Sequence, residues 1–303
     1  MSELTKILQG MSFPDAKNLL MEEYELIIKE DTQHPNLFLV TWNKDKEEKY
    51  QEMAKEHPFL HQCHGTILEK DTNRLVCYTF GARLEFNYEE ESPQLSTYGL
   101  NWENCRVEES IEGTQLRLYH YQDEWIISTV RCIDAKRAFW SSKKSFADLY
   151  QEAIETMAWT GEKLNPQHCY ALVLQHPDNQ MVIKYEKPNL VHVLTRDLSS
   201  EGFPEIMVTN NETDPNYIGL SIPKEMETTP GMTWESFLTM AKSYSKLDME
   251  GYVLNDTSNG LRLKVMSDVY RRGKELHGNV TPNNLIYHYL ALKKNGQVAE
   301  YLQ

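Results

Sequence analysis

Apolar residues recur along this chain at two spacings, and the alternation between them marks its elements. Leu19, Leu20, Tyr24, Ile27 and Ile28 follow helical spacing behind Pro14-Asp15, so residues 1–30 are expected to be helical. After a break at His34-Pro35-Asn36, residues 37–42 read as a short buried strand and the charged residues 43–56 as a second helix with a solvated face. Residues 59–68 and 74–80 alternate around the polar turn Lys70-Asp71-Thr72-Asn73, which predicts a hairpin, and residues 88–96 read as a loop. A strand from Arg106 then meets a tight acidic-glycine corner, Glu112-Gly113, before a second strand to Tyr119, which is expected to pair with residues 125–130.

The second half repeats this mixture. Residues 136–159 are helix-rich: Phe146, Leu149, Tyr150, Ala153, Ile154 and Met157 form one apolar stripe, and Ser145 with Asp148 has capping-box spacing. Residues 169–174 and 180–185 predict a hairpin around His176-Pro177-Asp178-Asn179, followed by a strand over 190–196 and a loop-rich stretch over 199–232. Thr233 caps a helix carrying Trp234, Phe237, Leu238 and Ala241. Residues 249–254 and 261–265 form a last hairpin, turned at Thr257-Ser258-Asn259-Gly260, and helices finish the chain. No repeat or low-complexity segment interrupts it. Hairpins with helices between them predict an α+β fold built on antiparallel sheets. The expected division is an N-terminal helical segment over 1–36, a main domain over 37–275 and a C-terminal helical tail over 276–303.

Composition narrows the function classes. The 303 residues are 40% hydrophobic and 25% charged, an ordinary globular balance. The five cysteines (Cys63, Cys77, Cys105, Cys132, Cys169) are odd in number and hold no CxxC pair, which argues for a reducing compartment and against a disulfide framework or a zinc site. The N-terminus lacks a long apolar run, so no signal peptide is expected, no stretch reaches the length of a membrane span, and a cytoplasmic location follows as the expectation. The formal charge of −14 makes the surface as a whole a poor polyanion binder. Any RNA contact must use a local basic patch, and the pairs Lys136-Arg137, Lys143-Lys144 and Arg271-Arg272 are the candidates, each also readable as solvated surface.

Five short segments carry candidate chemistry. They are Gln62-Cys63-His64-Gly65-Thr66-Ile67-Leu68-Glu69; Ser110-Ile111-Glu112-Gly113-Thr114; the run from Leu172 to Ile183; Glu250-Gly251-Tyr252-Val253; and Lys264-Val265-Met266-Ser267, with Tyr270 beyond it. In this order they resemble the motifs of the T4-type RNA ligase 1 family of covalent nucleotidyltransferases, over about residues 37–270. The resemblance implies an ATP-grasp-like nucleotidyltransferase cleft of RNA and DNA ligases with flanking helices. It also implies a nucleotide pocket built from Glu112, Gly113, Tyr170, Glu250 and Lys264, with Glu250 as a metal ligand, and Mg²⁺ with ATP or GTP as cofactors if the chain is active.

The departures from that family fall on chemistry. Ser110 stands where the family carries its nucleophilic lysine, His64 where it carries an arginine, Ala82 where it carries the lysine of a Phe-x-Lys segment (Arg83 is one place away), Val173 where it carries a ribose-binding glutamate, and Met266 where it carries a second lysine. In the family a lysine amine attacks the α-phosphate and holds the nucleotide as a phosphoramidate. Lysine suits this because its pKa falls readily in a crowded cationic pocket. A serine hydroxyl needs a dedicated base. Phosphoryl transfer also depends on cations gathered around the phosphates, and these replacements remove several. Three expectations follow: a degenerate ligase-like protein that binds a nucleotide or an RNA 5′ end, including a cap; an active RNA ligase with a non-standard nucleophile; or an acidic subunit that meets a protein partner. Trp102, Trp125, Trp140 and Trp159 are candidate stacking surfaces for bases, against the alternative of core positions.

Overall fold

Alternation of buried and exposed positions builds three sheets, and the way one strand leaves one sheet for another creates the cleft. The computed structural model describes residues 2–81, 84–89, 93–140, 143–208, 213–228, 231–278 and 285–301. The N-terminal sheet runs in the order β1 (Ile27–Glu30), β2 (Leu37–Thr41), β3 (Thr66–Glu69), β4 (Leu75–Cys77), and is covered by helices α1 (Glu3–Ile7), α2 (Phe13–Asn18) and α3 (Glu47–Glu56). β5 (Leu84–Glu85) and β6 (Cys105–Ser110) follow in the chain. The middle sheet takes β7 (Thr114–Tyr121) and β8 (Glu124–Ser128), then, after helix α4 (Phe146–Met157), β9 (His168–Gln175), β10 (Asn189–Asp197) and β11 (Glu205–Ile206), in the order β11-β10-β9-β7-β8. Helix α5 (Trp234–Ser243) leads to β12 (Gly251–Asp256) and β13 (Arg262–Met266), which complete the third sheet, β5-β13-β12-β6. Its pairings are antiparallel except for the short parallel contact of β5 with β13. Helices α6 (Asp268–His277), α7 (Leu285–Lys294) and α8 (Val298–Tyr301) follow. Among the described residues no helix is long and apolar enough to cross a membrane.

The α+β architecture with antiparallel sheets agrees with the reading of the sequence, and several local readings do not. Ile27 and Ile28 are not helical: Glu25 at φ +53° ends the preceding π-helical turn Leu19–Glu23, and both isoleucines pair with β2. The helical segment expected over 1–36 is corrected there. Residues 59–65 are not strand, because Pro58 opens a 3-10 turn, Pro58–Gln62, and Gly65 at φ +84° sets the start of β3. Residues 180–185 do not return along β9 as a hairpin; β10 does so, with Asn189 opposite Gln175.

Burial explains the layers. Leu37, Leu39, Ile67 and Cys77 of the N-terminal sheet pack against Tyr119, Ile126 and Cys169 of the middle sheet. The opposite face of the middle sheet, with Leu116, Leu118, Tyr170, Leu172 and Leu174, packs on Leu149 and Ala153 of α4. That helix begins at the expected Ser145–Asp148 capping box. In the third sheet Val107, Leu254, Leu263 and Val265 pack on Trp234, Phe237 and Ala241 of α5, capped as expected by Thr233. Each large apolar side chain so enclosed contributes about 1.5–3 kcal/mol. Period two then sends the other residues of β6 and β13, Arg106, Glu108, Ser110, Arg262 and Lys264, toward the middle sheet.

β6 and β7 are consecutive yet lie in different sheets, so Ile111-Glu112-Gly113 is a crossing between sheets and not a hairpin turn. Glycine is required at the crossing: Gly113 has φ +149°, and a Cβ there would lie 2.5 Å from the Leu174 carbonyl oxygen and 2.6 Å from Val173 Cγ1. Gly251 repeats the arrangement at the start of β12, at φ +146°, where a Cβ would run into the carbonyl oxygen of Val265 on the neighbouring strand.

Replacing Gly113 by alanine is expected to cost about 1–3 kcal/mol through this collision. Gly10→Ala, at φ +76° with nothing within 4 Å of the virtual Cβ, is the control for backbone strain alone. Urea unfolding of the two variants checks the difference, and equal losses would show that the close approach to β9 carries no weight.

Candidate functional site

The cleft lies where the middle and third sheets face each other. Ser110, Glu250, Val253 and Arg262 line it from the third sheet and its approaches, and Gln115 and Val173 from the middle sheet, around a cavity of about 80 Å³. Pockets for small ligands run to about 300–1,000 Å³, so this cleft is closed.

Glu250 is the centre of its chemistry. Ser110 Oγ donates to Glu250 Oε2 at 2.6 Å, the Lys264 ammonium pairs with the same oxygen, and Tyr270 OH donates to Oε1 at 3.2 Å. All four side chains are buried. They arrive from β6, the entry to β12, β13 and α6, whose N-terminus Ser267 caps. Burial, followed by the Glu250 and Glu112 carboxylates, pushes the Tyr270 hydroxyl far above its ordinary pKa, so it stays a donor.

Glu112 is not open to a ligand. Its carboxylate accepts the amides of Val182 (2.9 Å) and Ile183 (3.1 Å), and its carbonyl accepts Tyr185 OH (3.0 Å). Residues 182–185 therefore serve Glu112 where a strand was expected. Burial raises the Glu112 pKa, opposed by the Val182 amide, the Tyr270 hydroxyl and the Ile183 amide.

Of the sequence-predicted residues, the fold brings Ser110, Gly113, Val173, Glu250 and Lys264 to the cleft, with Glu112 at its edge. Tyr170 is corrected: it lies on the α4 face of β9, one step out of phase with Val173, and its hydroxyl accepts the Asn165 amide at 2.6 Å. His64 packs edge-on against Trp42 and is not among the residues lining this cavity. Met266 packs with Ile183 and Tyr270. Ala82 and Arg83 lie outside the described residues.

Contacts decide between the alternatives left open for two other groups of residues. The basic pairs are engaged on the surface: Arg137 with Asp31, Lys144 with Glu152 and Asp178, Arg271 with Glu275, and Arg272 with Glu300. Trp102 and Trp159 are tied into cores by indole hydrogen bonds to the Met232 and Ile218 carbonyls, whereas Trp125 and Trp140 are partly exposed. The cations near the cleft are instead Arg106, Arg196 and Arg262, far apart in sequence. Arg106 shares a strand face with Ser110, and Arg262 with Lys264, so period-two reading is the signal that finds two of them.

Metal binding fits neither candidate position. Glu250 already takes an ammonium and two hydroxyls. Glu152, His176 and Asp178 cluster on the α4 side. There His176 Nδ1 accepts the Asp178 amide at 3.0 Å, so Nε2 holds the proton facing Glu152 and has no lone pair to offer.

Lys264→Met is expected to lose about 3–5 kcal/mol by stranding the Glu250 carboxylate. Adding Glu250→Gln should recover most of that loss in urea unfolding; no recovery would mean that the pair is not coupled. His192, buried on β10, is pushed down to about 4 by burial. Its imidazole charges in the unfolded chain from about pH 6.5 downward but in the folded protein only near pH 4, so stability falls with pH across that window by up to about 1.4 kcal/mol per unit. His192→Gln should flatten that slope in a pH series of unfolding curves.

Comparison with known proteins agrees with the fold. An RNA ligase of Rhodothermus phage RM378 is 26% identical over 172 residues, 48% of this chain and 39% of that protein. A protein of Autographa californica nuclear polyhedrosis virus, named as a bifunctional polynucleotide kinase/RNA ligase, is 24% identical over 267 residues, 83% of this chain and 35% of that protein. The chain thus spans well under half the length of these curated relatives. An archaeal ATP-dependent RNA ligase has the same fold, with a TM-score of 0.53 at 13% identity, over 91% of this chain and 67% of that one. No protein-family model matches. In sequence and in fold, the chain resembles the RNA-ligase-like nucleotidyltransferases.

Proposed function

We propose that this chain is a catalytically degenerate relative of RNA ligases that holds a nucleotide or an RNA 5′ end without bonding to it. One observation carries the reading: the side chain at the nucleophile position is the Ser110 hydroxyl, and it donates to a carboxylate that also holds Lys264. Glu250 is thereby occupied as an acceptor for an ammonium and is poorly placed to deprotonate serine.

Electrostatics supports the same reading. Lys264, Arg106, Arg196 and Arg262 stand against Glu108, Glu112, Glu205 and Glu250, with Glu109 and Glu225 at the rim. The closed cleft therefore offers no net positive field for a triphosphate, and phosphoryl transfer is catalysed largely by such a field. Non-covalent capture requires the two sheets to part.

A second reading has one contact in its favour. Lys264 brings an amine to the same Glu250 oxygen as Ser110. If that amine attacked the α-phosphate of ATP or GTP, with Mg²⁺ and with pyrophosphate leaving, the chain would be an active nucleotidyltransferase with a transplanted nucleophile.

Incubation with α-labelled ATP or GTP and Mg²⁺, followed by a denaturing gel, separates the two. No labelled band is expected. A band abolished by Lys264→Met would replace the first reading with the second. Thermal-shift titration with ATP, GTP, cap analogue and 5′-phosphorylated RNA tests non-covalent binding, and silence from all four would favour a subunit that meets a protein partner.

A further inference from the structure

Beside the Ser110 pocket, three guanidiniums converge on one carboxylate. Arg262 reaches Glu205 Oε2 at 3.0 Å, Arg106 reaches Oε1 at 3.2 Å, and Arg196 lies 3.8 Å from Oε2. The three arginines come from β13, β6 and β10, so both sheets of the cleft contribute. Glu108 supplies one more carboxylate, 2.9 Å from Arg106. Glu225 lines the same space, so the cluster balances at three cations against three anions, and removing Glu205 leaves one positive charge in surplus.

Two of the arginines sit over aromatic rings. Arg262 lies over the Phe80 ring at 4.8 Å and Arg196 over the Tyr78 ring at 5.1 Å. A cavity of about 90 Å³ adjoins them, lined by Arg106, Glu108, His192 and Glu205. Glu108, Val193 and Pro223 line both this cavity and the Ser110 pocket, so the two spaces adjoin. Two buried nitrogens at this cavity, His192 Nδ1 and Arg106 Nε, find no hydrogen-bond partner among the described residues. A carboxylate leaves donors unused that the additional oxygens of a phosphate would satisfy.

We propose that Glu205 is an internal stand-in for phosphate, and that its withdrawal uncovers a three-arginine site for the terminal phosphate monoester of an RNA or nucleotide. The strand that carries it is short: β11 pairs with β10 at two positions, Thr195 with Ile206 and Arg196 with Glu205, and is otherwise tied to it through the Pro204 and Phe203 carbonyls just before it. The proposal rests on the non-covalent binding reading for its RNA ligand, but the anion site itself is testable without RNA.

The full chain and its Glu205→Gln variant are titrated with inorganic phosphate by thermal shift. Both are also titrated, by fluorescence anisotropy, with a 5′-phosphorylated oligoribonucleotide and its 5′-hydroxyl twin. Glu205→Gln is expected to tighten binding of phosphate and of the phosphorylated strand about tenfold or more, with no change for the hydroxyl strand. Adding Arg262→Gln should remove the gain. Glu205→Asp, which keeps the charge, reports whether loss of folding confuses the result and should bind like the parent. No gain with either phosphate probe overturns the proposal and marks the cluster as a structural ion network. If the parent binds the phosphorylated strand and Glu205→Gln adds nothing, this inference falls while the binding reading stands. A gain for inorganic phosphate with neither strand bound leaves the anion site standing and removes the RNA reading.

Discussion

The Glu250 carboxylate is buried at the meeting of β6, β12, β13 and α6, and the cleft takes its form from the need to satisfy it. A charge removed from water costs several kcal/mol unless it is paired and hydrogen-bonded. Ser110, Lys264 and Tyr270 together meet that need. Each is thereby fixed on a separate element, so the carboxylate ties three strand ends and a helix into one arrangement. Glu112 does the same on the other side of the crossing, where its carboxylate organises residues 182–185 through their amides.

The same arrangement sets what surrounds position 110. The carboxylate that faces Ser110 pairs with Lys264 of the neighbouring strand. Met266 then packs against Ile183 and Tyr270 as an apolar residue. The carboxylate is thereby satisfied by protein groups alone.

Much of the fold was legible because local signals agreed with it. The α4 stripe, its Ser145–Asp148 cap, the Thr233 cap and the β12–β13 hairpin each follow from spacing and capping chemistry. What escaped was tertiary. Nothing local shows that the strands flanking Glu112-Gly113 enter different sheets, or that residues 182–185 give their amides to a side chain instead of a ladder. Tyr170 was misplaced by a single step of strand phase, since Leu172 and Leu174 share its face while Val173 faces the cleft. The arginine cluster was hidden by distance along the chain, although Arg106 and Arg262 each share a strand face with a residue already singled out.

The crossing at Ile111-Glu112-Gly113 has a mechanical consequence. It is one of two short covalent links between the walls of the cleft; the other is the stretch 221–225, which runs from its bridge with Val191 on β10 to its bridge with Glu108 on β6. The walls are thus strapped at both the Ser110 end and the arginine end, and separating them requires one strap to give. The Glu112 carboxylate, clasped by the amides of Val182 and Ile183, fixes the first of these straps.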